Sequence, residues 1–138
     1  MQSPVIQALA DLEAAKARVA RDAARMREEL SAELVGELLP VLDNLDRSIA
    51  AGGDEAVLQG VRMVRAQLAG VLDKYGLERF DALGDVFDPR VHDAMSVADV
   101  EGRALDGVVI DQWAPGYRMG ERLLRPARVV VGRHRRTG

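Results

Sequence analysis

Two histidines, His92 and His134, are the side chains of this sequence best suited to moving protons near neutrality, and neither has a convincing set of partners around it. Asp88, His92 and Asp93 lie close together, and carboxylates beside an imidazole are the ingredients of a metal site or an acid/base pair. The plainer reading is preferred: Asp88, ahead of Pro89, caps a turn, while His92 packs or hydrogen-bonds locally. The absence of cysteine removes disulfides and cysteine-ligated metals. There is no zinc-ligand spacing, no G-x-x-x-x-G-K-[ST] phosphate loop and no G-x-G-x-x-G turn. The expectation is a protein that is not an enzyme, needs no cofactor or metal, and works by binding.

Composition points the same way. With 138 residues, 48% of them hydrophobic and only 4% aromatic, the chain suits one domain or two small ones with extended helices rather than a large conventional core. A net charge of -3 argues against non-specific nucleic-acid binding as the main activity, since such proteins carry a basic excess. No apolar run approaches the roughly 18 residues of a membrane span, and MQSPVIQALADLE lacks a basic stretch before an apolar one. The sequence reads as soluble, unprocessed and cytoplasmic, without a nucleic-acid or membrane partner.

The elements that must do the positioning begin at Ser3-Pro4, a hydroxyl cap followed by proline at the first helical position. Val5, Leu9, Leu12, Lys16, Val19, Ala23, Met26 and Leu30 then alternate spacings of four and three, a heptad seam with one charged member, Lys16. After Leu30 the spacing slips to four and four, through Leu34 and Leu38. In LVGELLPVLDNLDRSI, Leu34, Leu38, Val41/Leu42, Leu45 and Ile49 share one side of a helix that must tolerate Pro40, with a kink or distortion rather than a stop. The helix should end near Ala51, before Gly52-Gly53. At 1.5 Å per residue it is on the order of 70 Å long, more than one chain can cover.

Asp54 caps a second helix, with Val57, Val61, Val64, Leu68, Val71/Leu72 and Tyr75 along one side and Gly76 at its end. Folded back as a hairpin it covers only the end of the first helix. The economical arrangement is a homodimer in which two hairpins make a four-helix bundle, with Val5, Leu9, Leu12, Val19, Met26, Leu30, Leu34, Leu38, Leu42 and Leu45 as dimerisation residues. An intramolecular hairpin with a frayed N-terminal arm is the alternative.

From Leu77 the helical period is lost. Short apolar runs separated by Gly, Pro and Asp predict strands at Leu77–Phe80, Ala94–Ala98, Val108–Ala114, Tyr117–Leu124 and Ala127–Gly132. Turns are expected at Asp106-Gly107 and Pro115-Gly116, and a single helical turn at Asp88-Pro89. The fold class is α+β: paired long helices and a helical hairpin over residues 1–76, a small β-rich domain over 77–132, and a basic tail over 133–138, read as a solvated terminus. In the strand Val108–Ala114, alternation sets Val109, Asp111 and Trp113 on one face. A tryptophan sharing a face with an aspartate is available for an interface.

The ordered blocks Glu37-Leu38-Leu39-Pro40-Val41-Leu42-Asp43-Asn44-Leu45-Asp46-Arg47, Phe87-Asp88-Pro89 with His92-Asp93-Ala94, Gly116-Tyr117, and Leu124-Arg125-Pro126-Ala127 with Val129 to Val131 closely resemble the GrpE family, over about Lys16 to Gly132. The resemblance implies a homodimeric nucleotide exchange factor and co-chaperone of DnaK-type chaperones, acting in protein folding and the heat-stress response. Long paired helices would lead to a four-helix bundle. A small β domain would engage the chaperone's ATPase domain, hold its nucleotide cleft open and let ADP leave. It also implies chaperone-binding positions: Phe87, Pro89, Trp113, Arg122 and Val131 on the β domain, Gly60 on the second helix, and Lys16 and Arg25 on the long helix. Phe87 and Val131 equally suit the core of so small a unit, and Gly60 equally suits close packing within a bundle.

Family members usually carry a longer acidic N-terminus, so contacts to the chaperone's substrate-binding region are expected to be weaker here. Lys16 and Pro115 depart from common family choices. The shortened, interrupted seam suits early melting of helices that act as a thermosensor in the family. Two other readings are weighed: a structural coiled-coil adaptor, needing neither the Phe87-Asp88-Pro89 loop nor Trp113, and an enzyme built on Asp88 and His92.

Overall fold

The computed structural model describes residues 3–135. Helix α1 spans Pro4–Ala50 and α2 spans Glu55–Lys74. Strands follow at β1 Leu77–Phe80, β2 His92–Asp99, β3 Val109–Ala114, β4 Gly116–Met119, β5 Arg122–Arg125 and β6 Ala127–Arg133, with a 3₁₀ turn at Arg103–Leu105 before β3. This is the α+β class expected. The chain divides into two compact units, Met1–Val35 and Gly36–Gly138. Helix gives way to strand between Lys74 and Leu77.

Local chemistry accounts for the helix ends. The Ser3 hydroxyl accepts the Val5 N–H at 3.2 Å, and Asp54 Oδ1 accepts the N–H groups of Ala56 and Val57 at 2.8 and 3.3 Å, which satisfies donors that the helices leave free. Past the C-terminal ends, Gly52 (φ 75°) and Gly76 (φ 92°) adopt the left-handed backbone that favours glycine. Helix α1 continues through Pro40 without a stop.

In the first unit nearly every side chain is exposed, with burial confined to its end, at Ala32 and Val35. The expected single apolar face of LVGELLPVLDNLDRSI is two. In the second unit Leu39 and Leu42 are buried, Leu38, Leu45 and Ile49 are half-buried and Val41 is exposed; Leu34, ahead of that unit, is exposed too. Leucine and valine line both the covered and the uncovered side, so hydrophobicity alone merges them.

Two three-stranded sheets follow α2, in the orders β1-β4-β5 and β2-β6-β3. The first is antiparallel throughout; in the second, β6 runs parallel to β2 and antiparallel to β3. Pro115 is therefore the corner at which the chain passes from one sheet to the other. Tyr117–Leu124, expected as one strand, is two. Gly120, at φ 58°, turns the chain so that Arg122 pairs with Met119 and Arg125 with Tyr117. The second sheet packs on a core of Ala82, Val109, Ala127 and Val129, with Phe80, Phe87 and Val131 against it. Arg133 closes β6, and residues 136–138 of the expected tail lie outside the described residues.

Candidate functional site

The Phe87-Asp88-Pro89 segment opens a single hydrogen-bonded turn, as expected at Asp88-Pro89. The Asp88 carbonyl accepts the N–H groups of Val91 and His92 at 3.1 and 2.8 Å. The Asp88 carboxylate accepts the Arg90 N–H at 3.0 Å and its guanidinium at 3.1 and 3.0 Å, and that guanidinium holds the carboxyl below the ordinary carboxylate range. His92 is buried, and its Nδ1 accepts the Asp88 N–H at 3.0 Å, which puts the ring proton of the neutral form on Nε2. Its ring lies 6.0 Å from that of Phe87. The Asp88 and His92 side chains are thus spent on shaping the loop, while Asp93 is exposed. Among the described residues no three His, Asp or Glu side chains converge as a metal requires.

That turn displays Pro89 to solvent and half-buries Phe87 against the core that Val131 also joins. Trp113 stands on β3 of the same sheet, 58% exposed. Strict alternation would give Val109 the environment of Asp111 and Trp113, yet Val109 is buried while those two are exposed. The cause is a bulge: β3 slips register against β6 between Val109 and Asp111, turning the rest of the strand outward. Gln112 faces inward and ties β3 to the preceding loop, its Oε1 accepting the Ala82 N–H and its Nε2 donating to Asp81 Oδ1, both at 2.8 Å. In that loop Leu83 and Val86 are largely exposed, an apolar pair beside Phe87 that sequence reading missed; their signal was apolar side chains flanking Gly84-Asp85 in a turn.

Phe87, Val131 and Trp113 thus belong to one sheet and its core. Arg122 is exposed at the start of β5, in the other sheet. Gly60 is exposed on α2, and a Cβ added there meets nothing within 4 Å, so this chain gives it no packing reason to be glycine. Lys16 and Arg25 lie in the Met1–Val35 unit, each 66% exposed. They make long surface pairs, Lys16 with Glu13 at 3.7 Å and Arg25 with Asp22 and Glu29 at 3.7 and 3.9 Å, which hold them weakly.

The expected dimerisation residues divide in the same way. Val5, Leu9, Leu12, Val19, Met26, Leu30 and Leu34 are all at least half exposed, Leu38 and Leu45 are half-buried, and Leu42 is buried within the chain. On α2, Val57, Val64 and Val71 recur at heptad spacing and are exposed as well.

A cleft of about 340 Å³ lies where α1, α2 and the first sheet meet, lined by Leu42, Arg65, Ala69, Gly70, Asp73, Leu77, Arg79 and Tyr117. The Tyr117 side chain is almost wholly buried and its hydroxyl has no hydrogen-bond partner among the described residues; burial raises its pKa. No helix among the described residues is long and apolar enough to cross a membrane.

The sequence model of the GrpE family matches residues 1–133. Protein GrpE of Stenotrophomonas maltophilia (strain R551-3) is 41% identical over 133 residues, covering 95% of this chain and 77% of that protein. Protein GrpE of Xanthomonas euvesicatoria pv. vesicatoria (strain 85-10) is 39% identical over 136 residues, covering 97% and 78%. Protein GrpE of Brevibacillus choshinensis is 38% identical over 135 residues, covering 94% and 74%.

Proposed function

The chain belongs to the GrpE family, and from that premise we propose that it is a homodimeric, cytosolic co-chaperone that releases ADP from a DnaK-type chaperone. Two copies pair along the seam from Val5 to Leu34, and the β unit of one docks on the chaperone's ATPase domain through Trp113, Pro89, Arg122, Phe87 and Val131. Gly60, Lys16 and Arg25 add contacts from the helices. The observation that carries this reading is Trp113, 58% exposed on a strand that Gln112 ties to the Asp81-Ala82 loop. A rigidly mounted, exposed tryptophan leaves its burial energy to be gained on binding, and such residues dominate interface energies.

The mechanism needs no reacting side chain. A protein that binds the open nucleotide cleft more tightly than the closed one shifts the chaperone towards opening, and ADP leaves the opened cleft. By linkage, bound nucleotide weakens the factor's own grip by the same ratio. Phe87 and Val131 support this surface from its core side rather than lying wholly on it.

The test is stopped-flow release of a fluorescent ADP analogue from a DnaK-type chaperone. Acceleration is expected, with Trp113→Ala and Gly60→Asp each raising the concentration needed for half-maximal effect about tenfold or more. Unchanged release with both variants would fit a coiled-coil adaptor and sink the assigned surface. Turnover or stoichiometric metal lost in His92→Ala would overturn the non-enzymatic reading.

A further inference from the structure

Arg125 ends β5 with its side chain only 17% exposed, and all three of its guanidinium nitrogens donate. Nη1 and Nη2 both donate to the Asp43 carboxylate of α1, Nη2 to Oδ1 at 3.0 Å. Nε and Nη2 also donate to the Pro115 carbonyl at 3.2 and 3.1 Å, and the guanidinium lies 5.1 Å from the centre of the Tyr117 ring. One turn further along α1, Asp46 accepts Arg65 Nε from α2 at 2.7 Å. Two acidic residues at i and i+3 therefore receive one arginine from the sheets and one from the second helix.

We propose that Arg125 is a positioning residue for nucleotide exchange: its fork onto Asp43 fixes the angle at which the β sheets stand on the helical hairpin, without touching the chaperone. The inference rests on the exchange-factor reading. Its physical basis is a directional polar tether added to the chain joint and to the apolar packing of Leu42, Leu77 and Tyr117, which has no fixed orientation of its own. The covalent joint between α2 and β1 is Tyr75-Gly76, and Gly76 has the permissive backbone of a pivot. A body held by that joint and by non-directional apolar contact can still rock. The Arg125 fork is a further tether, joining residues 82 apart in sequence, and a planar bidentate pair resists rotation as a single-point contact does not. Prying a cleft apart requires that the contacting surface hold its direction under load. A loosened tether leaves the docking surface intact, but much of the preference for the open cleft is lost as the sheets follow the closing lobe.

Maximal ADP release and half-saturating concentration separate these effects. Asp43→Asn leaves the Pro115 and Tyr117 contacts of Arg125 in place, and Arg125→Lys keeps the charge but not the fork. Both are expected to lower the maximal rate about fivefold or more while half-saturation stays within about twofold, with Trp113 emission and cooperative melting of the β unit retained. Maximal rates within about twofold of wild type in both variants would overturn the proposal. So would loss of the Trp113 signal in Asp43→Asn, because the fork is then needed to fold the sheets rather than to aim them. No acceleration by the wild-type protein would instead remove the exchange-factor reading itself.

Discussion

The ring of Phe80 occupies the space in which Gly116 would carry a side chain: a Cβ built on Gly116 falls 2.1 Å from Phe80 Cζ and 2.5 Å from each Cε. The two residues are register partners across β1 and β4, and the Arg118 guanidinium lies 5.2 Å from the centre of the same ring. Glycine is needed here for close approach rather than for a turn. Gly116→Ala must displace an aromatic ring wedged between strands, and overpacking of this kind costs about 1–3 kcal/mol. The expected result is a lower urea midpoint, followed by Trp113 fluorescence. Phe80→Leu combined with Gly116→Ala should recover part of the loss. Strict additivity of the two changes would show that the ring and the glycine are not in conflict.

Tyr117 gives the opposite sign. Its hydroxyl is buried without a partner, and an unsatisfied buried polar group costs about 1–3 kcal/mol. Tyr117→Phe removes that cost while keeping the ring under Arg125. The expected outcome is an unchanged or raised melting temperature in a calorimetric scan; a clear drop would mean that the hydroxyl is hydrogen-bonded in solution, through water or otherwise.

Acid should loosen the loops that hold Asp81 and Asp88. Asp81 is held below its ordinary value of 3.8 by hydrogen bonds from Gln112 and Arg79, and Asp88 below the same value by Arg90. A carboxyl with a lowered folded pKa prefers the folded state when ionised. Its contribution is complete above the unfolded value and is lost as pH falls through the folded one. Stability attributable to these groups should therefore be flat at neutral pH and decline below about 3.8. Gln112→Leu removes the largest cause acting on Asp81, so the Asp81 titration, followed by carboxyl NMR shifts, should move up towards its ordinary value in that variant.

Much of this architecture is legible locally. Ser3, Asp54, Gly52 and Gly76 mark helix ends because caps are made by neighbours in sequence, and β1 falls on the expected Leu77–Phe80 because turn residues bracket it. What escaped depends on partners far along the chain. The bulge that turns Trp113 outward arises from the register of β3 on β6; the break at Gly120, by contrast, is a local two-residue turn between β4 and β5 whose glycine marked it. The tie between Asp43 and Arg125 spans 82 residues and leaves no periodic trace, although both residues stand in blocks that carry the family resemblance. His92 was legible as a local hydrogen-bonding residue because its partner is Asp88, four positions away.

The exposed seam leads to a prediction about assembly. Val5, Leu9, Leu12, Val19, Met26, Leu30 and Leu34 each keep at least half of their surface in this chain, and burying such a side chain is worth about 1.5–3 kcal/mol. Lys16 interrupts the seam and weakens it locally. If a second copy covers these residues, Leu12→Asp with Met26→Asp puts carboxylates on both sides of Lys16 and leaves them desolvated in the paired state. Sedimentation at micromolar concentration should then show dimer for the wild type and monomer, or a dimer weakened at least about a hundredfold, for the double variant. Helicity should fall with it, since a lone helix with its apolar stripe in water has little beyond local propensity to hold it. The β unit carries its own core of Ala82, Val109, Ala127 and Val129, so Trp113 emission should stay as in the wild type. A wild-type protein that sediments as a monomer, with full helicity, would mean that the seam does not pair two copies.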